Sequence, residues 1–230
     1  ASFTSLDDLP AMVARAHELS LAVRLDAPIR LADVPVREAD VTLPLGGDVR
    51  GIPLDVKKRH LESLNALMLG RDRRVVDTQA AYRDEVVEYW YANSEGTMLF
   101  ELRPEVTLSA VAVARDQGTI ERALESLGRR SGWDAVQHRE DQFLAAADRA
   151  VALLGAPRVR GGTYPVVLDP KLAGVFVHEA FGHLSEADFV YENPQAREMM
   201  TLGRRFGGPH LTIGDDGSAA LPPLPAGARN

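Results

Sequence analysis

The chain has 230 residues, of which 33 are acidic and 26 are lysine or arginine, so its formal net charge is −7. This acidic balance argues against binding to nucleic acid or to anionic membranes. The absence of cysteine excludes a disulfide scaffold, a cysteine-ligated zinc ribbon and a cysteine nucleophile within the chain. No apolar run approaches the ~20 residues of a membrane span, and the first residues lack the features of a signal peptide. We therefore expect a cytoplasmic protein.

The first half of the chain predicts helices packed on an antiparallel sheet. Apolar residues recur at helical spacing over 4–19 and again over 55–69. From 73 to 115 the period changes to two, which predicts four short strands in an antiparallel meander. We therefore assign residues 1–115 to an N-terminal α+β domain, incomplete at its start.

The second half predicts the beginning of a second domain, over 116–230, that carries a metal-site helix. Its helices are expected at 119–127 and 140–154, and a buried strand at 165–168. The remaining histidines lie outside any recognisable motif, and we interpret them as surface or loop residues: His17, His60, His138 and His210.

A helix start follows the expected strand. Asp169 is suited to the N-cap and Pro170 to the first helical position. The helix continues through Val175-Phe176-Val177, which is apolar enough that we expect this helix to be buried.

The sharpest chemical feature is the hexapeptide His178-Glu179-Ala180-Phe181-Gly182-His183. Neutral imidazole is a good zinc ligand, and a glutamate beside the first ligand can act as a general base on water. The familiar HExxH spacing places the histidines four apart, whereas here they are five apart. On an ideal α-helix, five residues leave the two side chains about 140° apart. A π turn of roughly 4.4 residues reduces that angle to about 50°, so we predict a helix bulge or break before His183.

A second interpretation of these residues stays open. His178 and His183 could be packed or capping histidines near a helix C-terminus. Glu186 and Asp188 follow closely, and could support a metal site, contact a substrate, or belong to a solvated loop or the cap of a following helix.

A longer pattern around the hexapeptide resembles the TldD/PmbA family of modulators of DNA gyrase, on its metalloprotease branch. The matching residues are Val166 to Pro170, Ala173 to Val175, His178 to His183, Glu186, Asp188 and Phe189. Two further segments also resemble the family pattern, Asn93-Ser94-Glu95-Gly96 and Asp215-Asp216-Gly217.

The resemblance implies a zinc-dependent peptidase that acts in the cytosol on short or unfolded peptides. It makes His178 and His183 zinc ligands and Glu179 the residue that activates water, with Glu186 and Asp188 as possible supporting or substrate-binding residues. It also implies a dimer, either with a metal-free PmbA/TldE-like subunit or with a second copy, and this chain would be the metal-bearing type.

Two departures from the family pattern bear on activity. The family's third zinc ligand is a cysteine far downstream, and this chain has no cysteine. Family members also extend beyond both ends, so we expect this chain to be truncated and poorly active without a third ligand. Two alternatives therefore stay open: a non-catalytic binding or assembly subunit, and a biosynthetic amide hydrolase that acts on a small metabolite.

Overall fold

The structure is a computed structural model that describes residues 2, 4–23, 33, 35–43 and 45–214. The chain divides into two compact units, Ala1–Arg158 and Val159–Asn230. The first unit contains a four-stranded sheet with helices packed on it, and the second contains short helical segments. This architecture confirms the predicted α+β class.

The sheet of the first unit is built around one long central strand. Strands β2 (Val75–Ala92) and β3 (Met98–Asp116) form an antiparallel hairpin. Strand β4 (Thr119–Arg129) pairs antiparallel with the second half of β3, and β1 (Glu38–Thr42) runs parallel to the first half. The sheet is therefore an antiparallel meander with one parallel strand added at its edge.

Pro104 lies inside β3, a position where proline would ordinarily remove a bond from the ladder. β1 pairs with β3 as far as Leu102, and β4 pairs with it from Val106 onward. The amide of Met98 and the carbonyl of Leu102 both bond toward the β1 side, to Arg37 and Leu43. Because backbone groups alternate along a strand, position 104 faces that same edge. The amide hydrogen that Pro104 lacks would therefore point into the gap between the β1 and β4 ladders, where neither strand pairs with β3.

The core lies between the sheet and two helices, α2 (Leu54–Leu69) and α3 (Glu140–Leu153). Small side chains let α3 approach β3 closely, and all are almost completely buried: Ala110, Ala112 and Ala114 on β3, and Ala146, Ala147 and Ala150 on α3. Phe143 and Met68 fill the remaining space, each with 0% of its surface exposed. Both helices confirm their predictions from apolar spacing.

A helix also forms near the start of the chain, as its spacing predicts. This helix, α1, spans Leu9–Ala22 and buries none of its residues. Among the described residues, no helix combines the length and the apolar character that crossing a membrane requires.

A tight backbone corner connects the loop before α2 to the turn after β4. The amides of Trp133 and Asp134 donate to the carbonyls of Gly47 and Gly46, at 2.8 and 2.9 Å. Gly132 lies so close to this loop that a Cβ on it would stand 2.2 Å from the Gly47 carbonyl oxygen. Only a residue without a side chain fits here.

The corner places the ring of Trp133 in the core, where it meets the rings of Tyr82 and His60 edge-on, both at 5.3 Å between centroids. His60 is therefore half-buried and not a surface residue. Burial, together with the nearby Asp84 carboxylate, raises the pKa of Tyr82. Lys57 pairs with Asp84 at 2.5 Å. The other expected surface or loop histidines are exposed: His17, His138 and His210.

The prediction of a helix over 119–127 is wrong, because this segment is strand β4. Ile120, Ala123, Leu124 and Leu127 recur at helical spacing, whereas on a strand they divide between its two faces. Pairing with β3 buries Ala123 and Leu127 and leaves Ile120 and Leu124 exposed.

The four short strands predicted over 73–115 are two long ones. The charged segment Arg83-Asp84-Glu85 and Pro104 continue the hairpin ladder and do not interrupt it. Residues 116–158 complete the sheet and core of the first unit through β4 and α3. The division between units therefore follows Arg158, and not residue 115 as the sequence suggested.

The second unit contains a succession of short helical segments. α4 (Pro170–Val177) begins as predicted, since the Asp169 carboxylate accepts a hydrogen bond from the Leu172 amide at 3.0 Å. A turn of five residues, a 3₁₀ turn and two short helices follow, and their bounds are His178–Gly182, His183–Ser185, α5 (Ala187–Glu192) and α6 (Pro194–Met199).

Two predictions for the second unit are wrong. Residues 165–168 are not a strand, since 159–214 contain no strand with which they could pair. The helix α4 is not buried within its unit, because Val175 and Phe176 are 51% and 59% exposed. The Asp215-Asp216-Gly217 segment lies outside the described residues.

Candidate metal centre

The helix widens into a single π turn at the hexapeptide. α4 ends at Val177, and the π turn occupies His178–Gly182. The amide of His183 donates to the carbonyl of His178, five residues earlier, which is the bond that defines a π turn. The structure therefore confirms the bulge predicted from the spacing of the two histidines.

The π turn brings three potential ligands together. The ring centroids of His178 and His183 are 4.4 Å apart, with an angle of 67° between the planes. Nε2 of His183 lies 3.6 Å from Oε2 of Glu179. Each residue offers one ligand atom within 4.8 Å of the other two, and within the described part of the chain no other group of three or more does so. We call these three residues the trio.

The donor set of the trio fits zinc. Two imidazoles and one carboxylate are ligands that zinc uses, with bonds of about 2.1 Å. In tetrahedral coordination such ligand atoms lie about 3.4 Å apart, so side chains whose atoms lie within 4.8 Å of one another reach one ion by rotating inward by up to about 1.4 Å. All three side chains are exposed, so that further ligands and a substrate can approach from solvent.

An aromatic contact joins the π turn to a later segment of the chain. Phe181 packs edge-on against Phe206, with 5.2 Å between ring centroids. The Arg204 guanidinium lies over the Phe206 ring at 5.6 Å. Sequence reasoning missed Phe206, because a single aromatic residue in an irregular polar segment carries no spacing signal.

The two acidic residues after the hexapeptide have different surroundings. Nδ1 of His183 lies 2.7 Å from Oε1 of Glu186. The Asp188 carboxylate accepts a hydrogen bond from the Phe189 amide at 2.8 Å, within its own helix. Glu186 thus contacts the trio, whereas Asp188 contacts the backbone of α5.

Two family models match the chain on either side of the division between its units. The PmbA/TldA metallopeptidase central domain matches residues 47–156, and the PmbA/TldA metallopeptidase C-terminal domain matches residues 161–225. The chain belongs to the PmbA/TldD family. The resemblance carried by the hexapeptide and its neighbours is thereby confirmed, and the trio of this PmbA/TldD chain lies in the matched C-terminal domain.

Relatives of this PmbA/TldD chain are named as metalloproteases. A metalloprotease of Synechocystis is 39% identical over 224 residues, 96% of this chain and 48% of the relative. A metalloprotease of Methanothermobacter thermautotrophicus is 31% identical over 212 residues, 83% of this chain and 46% of the relative. A zinc metalloprotease TldD homologue of Saccharolobus solfataricus is 29% identical over 182 residues, 76% and 40% of the two chains. This chain spans about half the length of the relatives it matches, or less.

The fold also matches a solved structure. A protein named as a modulator of DNA gyrase, from Bacteroides thetaiotaomicron, aligns with a TM-score of 0.63 over 78% of this chain and 42% of that one. The sequences are 19% identical, so this match shows a shared fold alone. Family and relatives together place this PmbA/TldD chain in a family of metallopeptidases, and metallopeptidases are hydrolases.

Proposed function

We propose that this chain contributes the zinc site of a TldD-type peptidase. His178 and His183 are the zinc ligands, and Glu179 is the general base. The observation that carries this proposal is that the π turn brings two imidazoles and a carboxylate within 4.8 Å of one another. The names of the relatives support it, and one of them is named as a zinc metalloprotease.

A bound zinc ion supplies Lewis acidity, which polarises a peptide carbonyl and makes water more acidic. The imidazoles of His178 and His183 hold the ion. The Glu179 carboxylate takes the proton of the attacking water and returns it to the leaving amine. Its Oε2 lies 3.6 Å from Nε2 of His183, beyond a normal hydrogen bond, so that ring does not engage the carboxylate.

Short or unfolded peptides are the proposed substrates. The trio is exposed on a helical turn, where an extended chain can approach it directly. The backbone carbonyls of a folded protein are mostly hydrogen-bonded within helices and sheets, whereas those of an unfolded peptide are accessible. An unfolded segment therefore reaches the trio more readily than a folded one.

Two substitutions test the proposed roles. Glu179→Gln should lower peptide hydrolysis at least 100-fold and leave zinc bound, because the amide cannot accept the proton. His178→Ala should lower the zinc content, because a ligand is lost. Metal analysis and cleavage of peptides of several lengths measure both effects. Hydrolysis retained in E179Q would remove Glu179 as the base, and unchanged zinc in H178A would refute the ligand role.

The same measurements separate the alternatives. Less than about 0.2 zinc per wild-type chain after gentle purification would favour a non-catalytic binding or assembly subunit. Bound zinc without cleavage of any peptide would favour an amide hydrolase that acts on a small metabolite.

A dimer in the cytoplasm is the proposed working state, either with a metal-free PmbA/TldE-like subunit or with a second copy. The side chains of Val175 and Phe176 on α4 are apolar and exposed, and exposed apolar surface often packs against another protein, which supports the dimer. Analytical ultracentrifugation tests the dimer, and a monomer at micromolar concentration, with and without such a subunit, would contradict it. Cell fractionation tests the location.

A further inference from the structure

The two ring nitrogens of His183 have different neighbours. Nδ1 lies 2.7 Å from Oε1 of Glu186, and Nε2 lies 3.6 Å from Oε2 of Glu179. An ionised carboxylate accepts a hydrogen bond and cannot donate one. In a neutral ring the proton of this hydrogen bond must therefore be on Nδ1. The unprotonated nitrogen is then Nε2, on the side of Glu179.

The local backbone explains why Glu186 reaches this ring. His183–Ser185 is a 3₁₀ turn, in which side chains three residues apart lie above one another. Glu186 stands three residues after His183, and so its side chain lies on the same side of the turn. The Ser185 hydroxyl closes the turn by donating to the Gly182 carbonyl at 2.8 Å.

Glu186 occupies the N-cap position of α5, but its side chain does not cap that helix. Serine, threonine, aspartate and asparagine are the preferred N-caps, because their short side chains reach the first free amides. The longer Glu186 side chain turns back toward His183 instead. Helix capping therefore does not account for its orientation, whereas the contact with the imidazole does.

We propose that Glu186 is a positioning residue of the metal site, which holds His183 with its proton on Nδ1 and presents Nε2 to the ion. This rests on the proposed function in taking His183 as a zinc ligand. A carboxylate bonded to the second nitrogen of a ligating histidine fixes the tautomer and orientation of the ring and raises its basicity. Without that partner, solvent selects the tautomer, and histidine in water prefers to keep its proton on Nε2.

The first test reads the tautomer directly in the metal-free 230-residue chain. Proton–nitrogen correlation spectra of the histidine rings are recorded at a mildly alkaline pH of about 8.5. The signals of His183 are identified by their loss in His183→Gln. We expect the Nδ1–H form in the wild type and a change to mostly Nε2–H in Glu186→Ala.

Two further variants control this measurement. Glu192→Ala removes an exposed carboxylate at the end of α5, and should keep the wild-type tautomer. Glu186→Gln retains an oxygen that can accept the hydrogen bond, and should keep most of the Nδ1–H form. A purely structural role of Glu186 predicts no such rescue. An unchanged His183 tautomer in E186A would overturn the positioning role.

Zinc affinity is the second readout, measured by competition with a coloured chelator. Glu186→Ala should weaken binding about 10- to 100-fold, E186Q should weaken it less, and E192A should leave it unchanged. If His183→Ala weakens zinc binding but E186A does not, Glu186 does not position the ligand, and the proposed zinc site stands. If H183A binds zinc as tightly as the wild type, the ligand role of His183 fails and the positioning role fails with it, whatever tautomer the spectra show.

Discussion

The imidazole rings of His178 and His183 lie with their centroids 4.4 Å apart, although the residues are five apart on a helical segment. An α-helix would leave these side chains about 140° apart. The bond from the His183 amide to the His178 carbonyl supplies the missing rotation by opening one π turn. The spacing of the histidines and the shape of the backbone therefore depend on each other.

Shortening and lengthening the segment between His178 and His183 should affect zinc affinity differently. Deleting Ala180 places the histidines four apart, about 40° from each other on a regular α-helix, and should keep zinc affinity within about tenfold of the wild type. Inserting an alanine after Ala180 places them six apart, about 120° from each other, and should lower affinity about 100-fold. Chelator competition measures both, and equal losses in the two variants would show that continuity of the helix matters more than spacing.

Gly132→Ala should strongly destabilise the first unit. A Cβ on Gly132 would stand 1.8 Å from the Leu45 carbonyl oxygen, so the backbone corner must open. We expect the free energy of unfolding to fall by about 3 kcal/mol or more in urea denaturation. Gly128→Ala is the matched control, because its Cβ would come no closer than 4.0 Å, to Thr107. A similar loss in both variants would argue against the close approach as the cause.

Phe143→Ala should create a cavity between α3 and the sheet. Its side chain is 0% exposed, and replacing such a phenylalanine costs about 3–5 kcal/mol of the free energy of unfolding. Leu153→Ala, at the 41%-exposed end of the same helix, should cost about 1 kcal/mol or less. Urea denaturation of the two variants compares them, and an equal effect would place the core elsewhere.

Glu125 should contribute to the acid sensitivity of the first unit. Burial by itself raises the pKa of this carboxyl, but hydrogen bonds from Arg149 and Gln142 outweigh burial and hold the pKa below 4.5. Since the pKa is lower in the folded state, the stabilisation is present above about pH 4.5 and is lost as the pH falls.

The pH dependence can be measured by urea denaturation between pH 3 and pH 7. The difference in the free energy of unfolding between the wild type and Glu125→Gln should shrink as the pH falls below about 4.5. Glu121→Gln, on the same strand, makes the same change of charge and serves as the control. A difference that stays constant across this range would remove the ion pair with Arg149 as its source.

Features that depend on a few neighbouring residues could be predicted from the sequence. Asp169 and Pro170 start α4 through contacts within one turn. The π turn follows from requiring His178 and His183 to share a face. Helix α3 follows from its apolar spacing, because the same face that is apolar is the one that packs.

Features that depend on distant segments could not be predicted. The apolar residues of β4 follow the helical period, and only pairing with β3 makes this segment a strand. In the sequence, Pro104 resembles the end of a strand. In the structure it lies inside β3, at the gap between the β1 and β4 ladders. The contact of Phe181 with Phe206 joins residues whose separation along the chain has no regular period.

Along one edge of β3, β1 pairs before Pro104 and β4 pairs after it. These two strands bury different amounts of side chain. β1 contributes five residues, all exposed, whereas β4 places Ala123 and Leu127 in the core. Detachment of β1 uncovers little apolar surface, and can occur while the rest of the sheet stays folded. The Met98 amide, which bonds to Arg37 beside β1, should therefore exchange with deuterium much faster than amides paired with β4. We therefore expect local unfolding of this sheet to begin at its parallel strand and to stop at the proline.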